Sequence, residues 1–316
     1  MRSLLALWLL AAGLLADAHI FVYHRFGDTR HPSTDTSVQT LRKQFDYFRK
    51  HGYEVVPLSK LVAALKDGEP VSDRWVVLTI DDSFESFYEK GLPIFREYGY
   101  PFTLFVYTEA TDKKYGDYMS WEEVNEAKRF GELGFHSHAH PHMVSKSDTY
   151  LKKDFEKGLA LMERHTGRRP SYFAYPYGEY DTRVRKIAES FGFDAICNQN
   201  VGAVSERSDV MDLDRIALTG DPDLASKLKI RFLDATWLAP RAWPKEGTVG
   251  EVKVKLNEPV KARHGYLYLT GYGWERVDIR EGAVDTRWHK PLKKRRSRLI
   301  LKVDRDKINT KILVKP

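Results

Sequence analysis

Between residues 19 and about 218, short β-rich runs alternate with helical patterns, and this alternation narrows the available folds more than any other feature of the sequence. A chain that repeats strand and helix about seven times builds a parallel sheet or barrel, because each strand returns alongside its predecessor through a helix. Residues 20–24 read as the first strand. Leu41, Phe45 and Phe48 then share one helical face that stops near Gly52. Residues 75–80 (WVVLTI) are continuously apolar, which predicts a strand covered on both sides. Further strands are predicted at 102–106, 131–135 and 172–175. Helices are predicted after Ser120, whose partner Glu123 completes a capping box, across Leu151, Phe155, Leu159 and Met162 up to Gly167, and over 181–191. The expected architecture is α/β: a distorted (β/α)7-type barrel over 19–235.

The pattern changes after about residue 233. Strand-like runs at 252–256, 266–270, 299–303 and 312–314, separated by Gly, Pro and charged turns, predict a small all-β domain over 236–316, with Trp237, Pro240, Trp243 and Pro244 as the connection. Charge follows the same division. Of the net charge of +7, residues 236–316 carry 20 Lys and Arg against 9 Asp and Glu, so the rest of the chain is slightly acidic. The run Lys290, Lys293, Lys294, Arg295, Arg296 and Arg298 is either a solvated face or a surface that gathers an anionic envelope polymer.

At the other end, Arg2, an apolar stretch over 4–15 and Ala16-Asp17-Ala18 have the three parts of a secretory signal peptide, predicted as 1–18. The stretch is shorter than the roughly 20 residues a membrane-spanning helix needs, so no transmembrane segment is expected in the mature chain. The expected location is periplasmic or extracellular, where nucleic acid is not a partner. Cys197 is the only cysteine, which excludes an internal disulfide framework.

Three clusters sit where strands should end: Thr79-Ile80-Asp81-Asp82, His136-Ser137-His138-Ala139-His140-Pro141, and Phe173-Ala174-Tyr175-Pro176-Tyr177-Gly178. Each has an ordinary reading by itself: a solvated turn, an exposed histidine cluster and a plain Pro-Tyr-Gly turn. In α/β barrels, however, strand ends carry the chemistry. Adjacent carboxylates there ask for a cation or a shared proton, and imidazoles four residues apart can meet one metal. Two His and one Asp with an open position form the ligand set of a hydrolytic metal centre. Zinc is the first candidate, and cobalt, nickel or iron suit the same donors.

Together and in this order, the clusters resemble the polysaccharide deacetylase family of carbohydrate esterases. Val22-Tyr23-His24-Arg25 is similar to the first strand of its permuted branch, which includes poly-N-acetylglucosamine deacetylases. The resemblance implies a metal-dependent hydrolase that removes N-acetyl groups from N-acetylglucosamine-type residues of a cell-surface polysaccharide. It implies Asp81 as catalytic base, Asp82, His136 and His140 as metal ligands, His24 as the acid and Tyr177 as a source of an oxyanion-stabilising N–H. Many members carry an arginine where this chain has Ala174, and Arg215 is the candidate replacement for orienting Asp81. Tyr175, Tyr177 and Trp121 are candidates for stacking on sugar rings. Two rivals follow from the same residues: a carbohydrate-binding protein on this scaffold without turnover, and an esterase acting on O-acetyl groups.

Overall fold

The computed structural model describes residues 16–316; the predicted signal peptide lies, over residues 1–15, outside the described residues. Seven parallel strands form one curved sheet: β1 (His19–Tyr23), β2 (Trp75–Ile80), β3 (Thr103–Val106), β4 (Glu132–Phe135), β5 (Tyr172–Ala174), β6 (Ala195–Cys197) and β7 (Ile216–Ala217). Their order is β7-β1-β2-β3-β4-β5-β6, with the short strand Glu54–Val55 also paired to β2. The gap between β6 and β7 is spanned by an isolated parallel bridge from Cys197 to Leu213, so the sheet curls into an incomplete barrel. This is the (β/α) architecture expected from the alternation.

Every residue of β1 is buried, as are Val76 to Ile80 of β2, which explains why these strands read as unbroken apolar runs rather than alternating ones. Helices cover the outside, and their ends are set by local chemistry. Ser37 caps the helix Val38–Lys50, Ser120 and Glu123 form the capping box of Trp121–Ala127, and Gly167 takes the left-handed conformation that stops Asp148–Thr166. Leu151, Phe155, Leu159 and Met162 all face the core from that last helix.

The start of the described chain is built into the barrel. Ala18 exchanges two backbone hydrogen bonds with Val204 (2.8 and 2.9 Å), and the Phe232 N–H donates to Asp17 (3.2 Å). A cut after Ala18 would remove these contacts. No described helix is long and apolar enough to cross a membrane.

From Arg231 onward all strands but one are antiparallel to their neighbours. They are β8 (Arg231–Phe232), β9 (Ala235–Ala239), β10 (Thr248–Leu256), β11 (His264–Leu269), β12 (Gly273–Asp278), β13 (Ala283–Pro291), β14 (Arg296–Val303) and β15 (Lys307–Val314). They form a five-stranded sheet, β8-β15-β14-β11-β12, in which only β8 pairs in parallel, and a three-stranded sheet, β9-β10-β13. One apolar core joins the two sheets, through Val252 and Val254 on one side and Leu267, Leu299 and Leu301 on the other. Trp237, read from the sequence as part of a connection, is instead in β9, where its indole N–H donates to Asn309 (2.7 Å). Ile312 and Val314 of β15 belong to the core of the barrel, which fixes the β unit against it.

Candidate active site

The site forms where β1, β2, β4 and β5 end. After β2 the backbone turns through two non-glycine residues with positive φ, Asp82 (73°) and Ser83 (55°), a conformation that costs on the order of 1–2 kcal/mol per residue. Asp81 and Asp82 consequently meet different partners. Asp81 is wholly buried and receives both ends of the Arg215 guanidinium, Nη1 to Oδ1 and Nη2 to Oδ2, each at 2.7 Å. Arg215 is equally buried and donates also to Asn198 O (2.8 Å) and Thr79 Oγ1 (3.0 Å). Burial would raise the Asp81 pKa, but the charge and hydrogen bonds of Arg215 outweigh it and hold the carboxyl below its ordinary range.

Asp82 faces the histidines. Its Oδ1 lies 3.0 Å from His140 Nε2 and 3.3 Å from His136 Nε2, and the two Nε2 atoms are 3.3 Å apart. His136 Nδ1 is 2.8 Å from the Ala174 carbonyl, so that nitrogen carries the proton and Nε2 presents its lone pair to Asp82 and His140. The side chain at 174 is a buried alanine, and its carbonyl orients His136. Asp82 Oδ1 is buried yet accepts no hydrogen bond. A carboxylate oxygen without a donor, next to two imidazole nitrogens, is a donor set that fits a divalent cation. Among the described residues this is the one group of three such side chains within 4.8 Å of one another.

The loop that carries the histidines is shaped by Asp154, a residue the sequence reading missed. From the helix Asp148–Thr166 its carboxylate receives Ser137 Oγ–H (2.7 Å), His138 N–H (2.9 Å) and Ala139 N–H (2.8 Å), and Ser137 Oγ in turn accepts from His140 N–H (3.1 Å). Ser137 and His140 are themselves held at φ 72° and 47°. The available signal was a carboxylate beside Phe155 within an otherwise apolar helical stripe.

His24, just after β1, lines the same cleft as Asp82, His136, His140 and Tyr177. Burial lowers its pKa despite the opposing charges of Asp82 and Asp81, and its Nδ1 has no partner. Tyr177 is 39% exposed, sits at φ 59°, and packs its ring 4.5 Å from that of His140 and 4.3 Å from that of His142.

The other two candidate aromatics are elsewhere. Tyr175 is fully buried and stacked on Tyr180 (4.6 Å), and Trp121 is 7% exposed with its ring flat on His165 (4.5 Å). Neither lines the cleft, because a residue that continues a buried strand or opens a buried helical face is absorbed by the core. Three further cleft residues were not read as site residues. Gln199 lies two residues past β6, with its Nε2 3.4 Å from Asp81 Oδ2. Arg296 and Arg298 of β14 donate to the carbonyls of Tyr177 and Gln199 respectively.

With this geometry in hand, residues 68–196 match the family model for polysaccharide deacetylases. The poly-β-1,6-N-acetyl-D-glucosamine N-deacetylase of Escherichia coli K12 is 24% identical over 239 residues, covering 62% of this chain and 35% of that protein. The chain therefore spans about a third of the length of that relative. The enzyme of the same name from Staphylococcus aureus is 23% identical over 215 residues, covering 64% and 73%. Two solved structures share the barrel fold: the Streptococcus pyogenes deacetylase PplD in complex with acetate (TM-score 0.62, 20% identity, 68% of this chain and 99% of that one) and IcaB from Ammonifex degensii (TM-score 0.61, 23% identity, 67% and 97%). Residues 68–196 thus carry a polysaccharide deacetylase domain match, and the surrounding barrel is similar in sequence and fold to deacetylases.

Proposed function

We propose that the chain is an exported, metal-dependent hydrolase that removes N-acetyl groups from N-acetylglucosamine-type residues of a cell-surface polysaccharide and releases acetate. The observation that carries this reading is the convergence of Asp82, His136 and His140 beside a carboxylate, Asp81, that Arg215 keeps ionised. Those three residues would hold the cation, zinc first by ligand type with cobalt, nickel or iron as alternatives, and it would supply Lewis acidity that polarises the acetamide carbonyl and eases deprotonation of water.

The chain's own residues divide the remaining work. Asp81 accepts the proton of the attacking water, and Arg215 keeps its carboxylate charged and oriented for that step. The backbone N–H of Tyr177 would stabilise the negative oxygen of the tetrahedral carbon. His24, neutral at rest because burial disfavours its charged form, takes up the proton gained in the first step and delivers it to the departing nitrogen. The C–N bond then breaks to give acetate and a free sugar amine. Arg215 also weakens the non-catalytic reading, because the guanidinium absent at position 174 is supplied from the residue just before β7. The basic run over 290–298 would draw an anionic envelope polymer towards the protein.

The test is acetate release from N-acetylglucosamine oligomers, with and without chelator and with metal added back, alongside O-acetylated oligomers. Asp81→Asn should lower kcat by about 10²–10⁴-fold while bound metal is retained. Unchanged acetate release from that variant removes Asp81 as the base, and a preference for O-acetyl substrates replaces the amidase reading with an esterase.

A further inference from the structure

The five-stranded sheet has one apolar face and one mixed face, and the mixed face runs from the barrel past the cleft into open solvent. In β14, Ser297, Leu299, Leu301 and Val303 point into the β unit's own interior, so Arg296, Arg298, Ile300 and Lys302 share the opposite face. Strand register extends that face sideways. Ile300 pairs with Tyr268 and Lys302 with Tyr266 on β11, while Tyr268 pairs with Trp274 on β12. On the other flank, Arg296 and Arg298 pair with Val314 and Ile312 of β15, which are packed into the barrel core.

One surface therefore passes through three zones. It is glued to the barrel along β15, forms the rim of the cleft at Arg296 and Arg298, and overhangs as bare sheet along β11 and β12. The overhang carries aromatic rings. Tyr266 and Trp274 are each 48% exposed, the rings of Tyr268 and Trp274 lie 5.3 Å apart, and Lys302 Nζ sits 5.2 Å from the Trp274 ring and 5.8 Å from the Tyr266 ring. Lys302 lies four positions along β14 from Arg298, about 13 Å of strand, and neighbouring strands are about 5 Å apart, so the rings stand within a few sugar units of the cleft. The donation of Arg298 to Gln199 O, at 3.0 Å, fixes the overhang relative to the site.

We infer that this overhanging face is a glycan-binding shelf, with Tyr266, Tyr268 and Trp274 stacking on sugar rings of the same polymer whose acetylated residue lies in the cleft. The inference rests on the deacetylase reading for its ligand and on the sheet's register for its place. Exposed indole and phenol rings present flat apolar faces with a polar edge, which suits the C–H faces and hydroxyl rims of pyranose rings. Side chains of this size left bare on a soluble sheet mark an interaction surface. Lys302 and Arg276 beside them add hydrogen-bond donors.

The experiment compares N-acetylglucosamine oligomers from monomer to hexamer. In the unmodified chain kcat/KM should climb with length. In the Tyr266→Ala/Trp274→Ala double variant the hexamer-to-dimer ratio of kcat/KM should fall by about tenfold, through KM rather than kcat, with partial recovery in Trp274→Phe. A ratio that does not change overturns the shelf, even where acetate release supports the deacetylase. Hexamer binding to Asp81→Asn chains, with and without the double substitution, separates the two readings. If no oligomer is turned over yet the double variant loses hexamer binding, the shelf stands and the deacetylase reading falls. If instead the double variant loses binding to phosphatidylglycerol vesicles, or loses concentration-dependent self-association, with oligomer binding intact, the face belongs to a membrane or to a second copy and the inference is overturned.

Discussion

The carboxyl edge of the parallel sheet and the antiparallel β unit handle charge in opposite ways. At the sheet edge Asp81, Arg215, His136 and Asp154 are all buried, and Asp82, Ser83, Ser137, His140 and Tyr177 hold left-handed backbone that glycine would adopt more easily. In the β unit the non-glycine left-handed residues, Glu281, Asp304 and Arg305, are in hairpin turns, and ion pairs such as Arg280–Asp278 (3.1 Å) and Lys253–Glu251 (2.8 Å) are bathed in solvent. The β unit gains its stability from alternation, with apolar residues facing inward on each strand. The barrel edge spends stability to hold polar atoms in one arrangement, as the proposed hydrolytic site would require.

This contrast predicts a steep hierarchy of mutational effects. Arg215→Ala strands a buried carboxylate and should destabilise the protein by about 3–5 kcal/mol, read from the denaturant midpoint. Pairing it with Asp81→Leu, which removes the stranded charge, should recover much of that loss. A small effect from Arg215→Ala alone would mean that the barrel edge tolerates an unpaired charge.

Next comes His19, at the opposite end of β1 from the site. Burial lowers its pKa to about 4, with Arg231 pushing in the same direction and the Ile230 carbonyl, 2.9 Å from Nε2, resisting. Because the folded form prefers the neutral ring, this stability is complete above the unfolded pKa of about 6.5 and is lost as pH falls towards 4, to a total of about 3 kcal/mol. His19→Gln should flatten the fall of the urea midpoint between pH 6.5 and 4. An unaltered slope would assign the acid sensitivity to other groups.

How far the sequence reveals all this depends on whether a feature is local. The barrel strands were readable because strands buried on both faces leave unbroken apolar runs. The closeness of Asp81 to Asp82 and of His136 to His140 was readable because each pair lies within a few residues at a strand end. The roles of Asp154 and Gln199 were not, since they arise only when distant elements meet. Tyr175 and Trp121 were misplaced because an aromatic beside a motif has the same spelling whether it points to the cleft or to the core. In the β unit, Gly273–Asp278 and Ala283–Pro291 escaped notice because one face of each meets solvent and its charged residues mask the alternation. The basic run disclosed its charge but not that Arg296 and Arg298 reach the cleft.

Asp154 sharpens the comparison at smaller scale, because it acts through the histidine loop and touches none of the three donor atoms of the triad. Asp154→Ala should weaken metal binding by about 10–100-fold, measured by competition with a chelating dye, and Asp154→Asn should recover part of that by still accepting from the loop N–H groups. Loss of global stability with unchanged metal affinity would make Asp154 a core residue that only happens to lie beneath the site.

The smallest effect belongs to the β unit. Arg280 and Asp278 form an ion pair whose side chains are 84% and 56% exposed, so water screens the attraction and each side chain loses rotamer freedom by pairing. Arg280→Ala should therefore leave the denaturation midpoint where it was, in low salt and in high salt alike. The bond type is the same as in Arg215–Asp81, an arginine donating to an aspartate, and only the surroundings differ. A loss near that expected for Arg215→Ala would break the comparison, because it would mean that the number of ion pairs, rather than their burial, sets what charge contributes to this fold.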